Sequence, residues 1–155
     1  MPGCTGISMS DASAMTLRLA TADDVPSLQR VRLAVRENRL SDPSRIGVDE
    51  YLQHLGPVGR TWVVADASSI VGFASGRHVD GNIWALFVDP GAEGLGVGSR
   101  LHDAMVDWLF DQGLATLWLT TACGTRAEAF YRRRGWQQEG QHPQGEVRLV
   151  RRRTG

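Results

Sequence analysis

The sequence predicts an α/β (α+β) fold in which a mixed, mostly antiparallel sheet of about seven strands is flanked by about four helices. Three apolar segments between residues 61 and 88 follow one another with short turns between them, as in an antiparallel meander. Beyond residue 88, segments with helical periodicity alternate with further apolar strands. The 155 residues suffice for a single domain with a sizeable core.

The N-terminal part predicts one strand and two helices. Residues 16–20 alternate between apolar and polar side chains, as a short strand does. Thr21 and the two aspartates after it supply a helix cap, and this helix is expected to run to about Asn38, before the break at Pro43. A second short helix is expected over residues 48–55, where glycine and proline follow it.

The remaining segments alternate between strands and helices. Strands are expected over residues 61–66, 70–78, 82–88, 114–121, 136–139 and 146–151. One helix is expected to follow a run of glycines and to reach residue 109, and another is expected over residues 126–134.

A glycine-rich loop leads from the strand that ends at Val88 into the longer of these helices. The apolar stripe of that helix consists of Leu101, Met105, Trp108 and Leu109. The loop before it contains Gly94, Gly96 and Gly98. Helix-start amides lack intrahelical partners, and glycines leave them open to approach, so the loop predicts a phosphate site. The alternative is a tight turn that packs for its own sake.

The spacing of the glycines narrows the choice of phosphate ligand. A Walker loop needs Gly-Lys-Ser/Thr at its end, whereas Gly98 is followed by Ser99 and Arg100 in a chain without lysine. A dinucleotide fingerprint needs G-x-G-x-x-G and a later acidic residue. The loop reads G-x-G-x-G, and the strand at residues 114–121 has no carboxylate, which leaves NAD binding as a weak alternative.

This region resembles the acetyl-CoA signature of the GCN5-related N-acetyltransferase (GNAT) family. That signature is a strand with Val-x-Pro, followed by [Gln/Arg]-x-x-Gly-x-[Gly/Ala] at the start of a long helix. Residues 88–90 read Val-Asp-Pro, and residues 93–98 read Glu-Gly-Leu-Gly-Val-Gly. Glu93 departs from the pattern, and a carboxylate beside a pyrophosphate is repelled unless it points to solvent.

A second block, residues 117–136, is similar to a later element of the same family. The pattern is a strand, a loop and then Ala-x-x-Phe-Tyr-x-x-x-Gly-[Phe/Trp]. The matching residues are Ala127, Phe130, Tyr131, Gly135 and Trp136. Gly124 stands where the family usually has an Asn, which puts one contact near the pantetheine in doubt.

The resemblance implies a fold and a function. The sheet would be splayed between strands 4 and 5, with the acetyl-CoA arm in the opening. The activity would be acetyl-CoA-dependent N-acetyltransfer to a primary amine of a small molecule or peptide, by direct attack on the thioester. The alternative is a catalytically silent acetyl-CoA-binding sensor. We expect residues 1–15 to form a disordered tail and residues 16–155 a single N-acetyltransferase domain.

The resemblance also assigns site residues. Tyr131 would donate its proton to the CoA thiolate, with a packed core aromatic as the alternative, and the Leu86 N–H would polarise the acetyl carbonyl. Glu37, near the end of the first helix, would be the general base, or else a solvated helix-end charge. The residues expected to bind the coenzyme are Leu86, Phe87, Val88, Glu93, Gly94, Leu95, Gly96, Val97, Gly98, Ser99, Arg126, Phe130 and Tyr131.

Several other side chains are weaker candidates. His78 and Asp80 flank the turn before the strand at residues 82–88, where a turn role is favoured over a catalytic one. Cys123 follows the strand at residues 114–121, so a covalent acetyl-cysteine is a further alternative. One or two of the arginines near Tyr131, or Arg100, could pair with the 3′-phosphate of CoA, against the alternative of a solvated basic face.

Composition excludes several classes of partner. Seventeen basic residues balance 17 acidic ones, which argues against nucleic-acid or anionic-membrane binding. The four histidines lack ligand spacing, so we expect them on the surface and expect no metal. No apolar run approaches a membrane span and the two cysteines suggest no disulfide framework, so we expect a cytoplasmic protein. Many relatives pair as homodimers, and a homodimer is an open expectation.

Overall fold

The structure is a computed structural model that describes residues 15–35, 46–140 and 145–154. The tail expected at the N-terminus, apart from Met15, and the helix end expected at Asn38 lie outside these residues. The catalytic base expected at Glu37 also lies outside them.

The predicted order of helices and strands is confirmed. The strands are β1 (Thr16–Leu19), β2 (Gly59–Ala65), β3 (Ile70–Arg77), β4 (Ile83–Val88), β5 (Thr116–Ala122), β6 (Gln137–Gln138) and β7 (Glu146–Arg152). The helices are α1 (Val25–Ala34), α2 (Val48–Gln53), α3 (Val97–Asp111) and α4 (Arg126–Arg133). Short 3₁₀ turns at Ala22–Asp24 and Pro90–Ala92 precede α1 and α3.

The strands form two antiparallel sheets that separate between β4 and β5. The first has the order β1-β2-β3-β4 and the second the order β5-β7-β6. Within the described residues, one parallel bridge, from Asn82 to Trp118, connects the two sheets. The Trp118 N–H donates to Gly81 O at 3.0 Å beside this bridge. The expected splay between strands 4 and 5 is therefore confirmed.

A bulge in β4 decides which side chains face each layer of the protein. Ser75 pairs with Ala85 while Gly76 pairs with Ile83, so Trp84 is the extra residue. Trp84, Ala85 and Phe87 therefore pack with α1 and α2. Leu86 and Val88 pack on the other face of the sheet, with α3. Alternate side chains of β4 thus pack into two separate hydrophobic cores.

The helix α3 lies close against β3 because two glycines leave room for it. A Cβ at Gly72 would lie 2.9 Å from Val97 Cγ1 and 3.1 Å from Leu101 Cδ1. A Cβ at Gly76 would lie 2.9 Å from Met105 Cγ. Three of the four residues of the predicted stripe, Leu101, Met105 and Leu109, are fully buried here, and Trp108 is partly exposed. This packing fixes the start of α3 relative to the end of β4.

The expectation of surface histidines is wrong for two of the four. His54 is 2% exposed and His102 is fully buried. His54 Nδ1 lies 2.7 Å from Glu50 O, and its ring stacks on Trp84. A buried imidazole is tolerated when hydrogen bonds satisfy its nitrogens, and those partners come from tertiary contacts rather than from local spacing.

No helix in the described part of the chain is long and apolar enough to cross a membrane.

Candidate active site

A cleft of about 630 Å³ opens beside the C-terminal end of β4. Its walls come from β4, from the loop and first turn of α3, and from α4, with Val35 at the end of α1. All the predicted coenzyme-binding residues except Leu95 line it. Leu95 packs against the core instead. Residues more than 40 positions apart in sequence thus meet in one cleft.

The start of α3 presents its amides without a side-chain cap. Gly94 and Gly96 adopt left-handed φ values of 82° and 80°, a conformation that other residues rarely adopt. Gly96 is the N-cap residue and supplies no side-chain hydrogen bond. A Cβ at Gly98 would lie 3.4 Å from Phe130 Cε1, so this glycine keeps the gap toward α4 open. Uncapped amides and the helix dipole together attract an anion.

Glu93, the residue that departs from the family pattern, is neutralised by Arg126. The Arg126 Nη1 and Nη2 atoms donate to Glu93 Oε1 and Oε2, both at 3.0 Å. Glu93 precedes α3 and Arg126 begins α4, so the pair joins the two walls of the cleft. A paired carboxylate repels a bound diphosphate less than a free one does, because the guanidinium offsets its charge.

Tyr131 lies in an aromatic cluster and reaches the cleft. It is 6% exposed, and the rings of Phe130 and Trp136 lie 5.3 Å away between centroids. Burial raises the pKa of Tyr131 above its ordinary value. The phenol is therefore protonated at neutral pH and can donate a proton or a hydrogen bond.

His102 supports this cluster, and sequence reasoning did not single it out. Trp136 Nε1 donates to His102 Nε2 at 3.0 Å, and Asp103 Oδ1 lies 3.0 Å from Nδ1. Because indole only donates, Nε2 carries no proton and the neutral ring donates from Nδ1 to Asp103. Burial lowers the pKa of His102, with Asp103 opposing the shift. The one sequence signal was its place beside Leu101 in the apolar stripe.

The arginines near the cleft divide into two groups. Arg126, Arg133 and Arg134 line it. Arg134 lies over the Phe130 ring, at 4.0 Å from its centroid, and donates to Ser99 Oγ, which ties α4 to the first turn of α3. The other group does not line the cleft. Arg132 donates to Glu128 Oε2, and Arg100 donates to Met15 O.

Three of the weaker candidates, His78, Asp80 and Cys123, do not line the cleft. Asp80 accepts hydrogen bonds from Arg77 Nε and from the Asn82 N–H, which is a turn role. His78 packs edge-on against the Trp108 ring. Cys123 is exposed at the end of β5. The described residues contain no group of three or more His, Cys, Asp or Glu side chains that could hold a metal ion.

Gly124, the second departure from the family pattern, has a conformational reason. Its φ is 81°, and its N–H donates to Glu128 Oε1 at 2.7 Å. The next residue, Thr125, caps α4 by accepting from the Glu128 N–H. Glycine therefore suits the turn that starts α4, although it brings no side chain to the cleft.

Comparisons with known proteins agree on one family. The model of the acetyltransferase (GNAT) family matches residues 26–136. An acetyltransferase of the GNAT family from Staphylococcus aureus aligns over 90% of this chain and 99% of its own, with a TM-score of 0.77 and 17% identity. A comparison with curated proteins found no match.

Two further solved structures share the fold. The PaiA N-acetyltransferase of Thermoplasma acidophilum, in complex with coenzyme A, aligns over 90% of this chain and 99% of its own, with a TM-score of 0.76 and 12% identity. The ribosomal-protein-S18-alanine N-acetyltransferase of Escherichia coli aligns over 88% of this chain and 90% of its own, with a TM-score of 0.69 and 18% identity.

The buried histidines predict a pH-dependent stability. Burial lowers the pKa of His54 and His102, so below pH 6.5 the unfolded chain binds protons that the folded chain does not. The free energy of unfolding should fall from about pH 6.5 to pH 5, by at most about 1.4 kcal/mol per pH unit for each histidine. Glu128, whose pKa hydrogen bonds lower, affects stability only below about pH 4.5.

Urea unfolding at several pH values between about pH 7 and pH 5 measures this slope. His102→Gln, whose side-chain oxygen can still accept from Trp136, should show a shallower slope, and His54→Gln/His102→Gln a nearly flat one. A slope equal to that of the parent in both variants would show that the histidines are not its source.

Proposed function

The chain belongs to the GNAT acetyltransferase family and is an acyltransferase, and we propose that it moves an acetyl group from acetyl-CoA to a primary amine of a small molecule or peptide. The observation that carries the proposal is the cleft itself, which joins uncapped helix amides to a buried, protonated phenol. Its two ends suit the diphosphate and the sulfur of one coenzyme. The coenzyme A complex of a protein with the same fold supports this choice of ligand.

The cleft offers three kinds of contact to the coenzyme. The amides of Val97, Gly98 and Ser99 would hold the pyrophosphate at the N-terminus of α3. Backbone groups of Leu86, Phe87 and Val88 would pair with the pantetheine as an added strand, since β4 has β3 on one side and separates from β5 on the other. Arg126, Arg133 and Arg134 would supply positive charge near the phosphates.

Acetyl-CoA supplies an activated thioester. A bond forms between the amine nitrogen and the acetyl carbon, the carbon–sulfur bond breaks, and the nitrogen loses a proton. The Leu86 N–H would donate to the acetyl oxygen as negative charge develops there. Tyr131 would donate to the departing sulfur and regain its proton from solvent. Because a phenol is a weaker acid than a thiol, its main contribution is a hydrogen bond that stabilises the thiolate.

The acceptor decides how much base catalysis is needed. Deprotonating a lysine-like amine at pH 7.4 costs about 4 kcal/mol, whereas a peptide α-amine costs less than about 1 kcal/mol. Glu37 stays a prediction for the base, since it lies outside the described residues. Water can accept the proton of an α-amine without a dedicated base.

The alternative is a catalytically silent acetyl-CoA sensor, suggested by the two departures from the family pattern. The structure accommodates both, since Glu93 is paired with Arg126 and Gly124 takes a left-handed turn. An intact Tyr131 at the cleft argues for turnover.

A turnover assay distinguishes the enzyme from the sensor. The protein is incubated with acetyl-CoA and a panel of polyamines, amino acids, aminoglycosides and peptides, and release of the CoA thiol is followed. At least one class of amine should raise the rate well above hydrolysis. Acetyl-CoA binding with no stimulation by any amine would favour the sensor.

Tyr131→Phe tests the proton donor. We expect turnover to fall by about 100-fold or more, because the departing thiolate loses its donor, while acetyl-CoA affinity changes little. Steady-state kinetics give turnover, and calorimetric titration gives affinity. A variant that turns over as fast as the parent would remove Tyr131 from the mechanism.

Charge-removing variants test whether Arg126 offsets the charge of Glu93 at the coenzyme site. Arg126→Gln should weaken acetyl-CoA binding, because the carboxylate is left uncompensated, and Glu93→Gln should strengthen it. Each change should be about 2- to 5-fold, as expected for an exposed pair. The variant with both changes should bind like the parent, and about 1 M salt should reduce all the differences. Weaker binding by Glu93→Gln would instead assign the carboxylate an attractive contact.

A further inference from the structure

Arg32, in the last turn of α1, has two buried guanidinium nitrogens whose hydrogen bonds the described residues do not satisfy. These are Nε and Nη1, which have no hydrogen-bond partner among the residues that the structure describes. Arg30, two residues earlier, is satisfied, since it donates to Ile70 O at 2.8 Å and lies 3.5 Å from an Asp89 oxygen. A guanidinium stays charged at any ordinary pH. Leaving its donors buried and unmet is unfavourable, so stability alone does not explain this arrangement.

Two aromatic rings hold the flat face of the Arg32 guanidinium, and the Nε and Nη1 atoms on its edge are buried with their hydrogen bonds unmet by the described residues. The guanidinium carbon lies 5.2 Å from the centroid of the Trp84 ring and 4.8 Å from that of Phe87. Aromatic faces attract the cation but do not satisfy its N–H groups. A guanidinium held by its face keeps its planar edge for bidentate hydrogen bonds to an oxyanion.

No carboxylate of the described residues neutralises this guanidinium. The nearby polar side chain is Tyr51, whose ring packs edge-on against Trp84 at 5.3 Å. Burial raises the pKa of Tyr51, and the charge and hydrogen bonding of Arg32 oppose this shift only in part. The phenol is therefore neutral. The other acid close to Tyr51 is Glu50, in the first turn of α2, and no ion pair joins it to Arg32.

The group lies beside the cleft. Arg32 itself is not among the residues that line the cleft, but Phe87, which contacts the guanidinium, lines it, and so does Val35, which directly follows α1. Tyr131 lines the cleft from α4. An acceptor with its amine at the thioester could therefore place a second group against the α1 side of β4. Arg32 is partly exposed as a residue, so torsions of its long side chain can turn the buried edge toward such a group.

We propose that Arg32 binds a carboxylate of the acceptor, so that the substrates are amino acids or other amines that carry a carboxylate. This inference rests on the proposed acetyltransfer. A carboxylate matches the planar fork of the guanidinium, neutralises its charge and satisfies the donors that the described residues leave unmet. An amine without a carboxylate leaves these donors unmet. The difference in binding free energy would favour acceptors that carry a carboxylate.

Matched acceptors test the proposal. Each amino acid of a panel is compared with its amide and with the amine that lacks the carboxyl group, and O-phosphoethanolamine adds a tetrahedral oxyanion. For the preferred side chain, kcat/KM for the carboxylate should exceed that for the amide and the amine by 10-fold or more. Equal values for the three members of every set would overturn the proposal.

Variants then assign the preference to Arg32. Arg32→Met should raise KM for the carboxylate acceptor by 10-fold or more, with kcat for the amine and the affinity for acetyl-CoA unchanged. Arg32→Lys should restore part of the preference. Arg60→Met is the matched control, because Arg60 also lies on an indole, at 4.5 Å from the centroid of Trp108. Trp108 does not line the cleft, whereas Phe87, which Arg32 contacts, does. A preference that survives in Arg32→Met would overturn the assignment.

Two further measurements separate the possible failures. The melting temperature of Arg32→Met should equal or exceed that of the parent, because the variant removes an uncompensated buried charge. A lower melting temperature with an unchanged KM would show a structural role and overturn the proposal.

If no amine is acetylated at all, the proposed function fails. Calorimetric binding of the carboxylates to the CoA-loaded parent and to Arg32→Met then decides: binding lost in the variant supports Arg32 as the receptor, and binding by neither overturns it.

Discussion

The separation of β4 from β5 is the constraint on which the rest of this molecule depends. The two strands meet at the bridge between Asn82 and Trp118, and the Trp118 indole donates to Asp80 O at 3.1 Å beside it. Beyond this point each strand belongs to its own sheet. An edge strand with open backbone groups is a liability unless something pairs with it or covers it. Here the open edge forms one wall of the cleft, where an extended ligand can supply the missing partner.

The electrostatics of the cleft follow from the even charge balance of the chain. With 17 basic and 17 acidic residues, no strong long-range field draws in a polyanion. Attraction for a diphosphate must therefore be local. In the proposed function it would come from the dipole and free amides of α3, and from arginines that other contacts already orient. Arg126 is oriented by Glu93 and Arg134 by Ser99, so their positions are set before any ligand arrives.

The aromatic cluster behind the cleft positions the phenol. His102 accepts from Trp136 and contacts the rings of Phe130 and Tyr131, which lie 5.8 and 6.2 Å away. The neutral imidazole of His102, which belongs to α3, therefore lies against the aromatic rings of α4. A ring held on several sides keeps few rotamers, and a proton donor needs a fixed position to act on a departing sulfur. On the opposite face of β4, the bulge at Trp84 turns that indole toward α1 and α2, beside Arg32.

Local patterns in the chain predicted the order of elements, the glycine-loop helix and the pair of blocks that mark the family, because periodicity, turn residues and motif spacing are properties of short segments. All but one of the coenzyme-binding residues that they predicted line the cleft. They could not predict that Arg126 neutralises Glu93, that His54 and His102 are buried, or that two buried donors of Arg32 find no acceptor among the described residues. Each of these depends on side chains brought together from distant segments, and partnership, burial and desolvation exist only once the layers have packed.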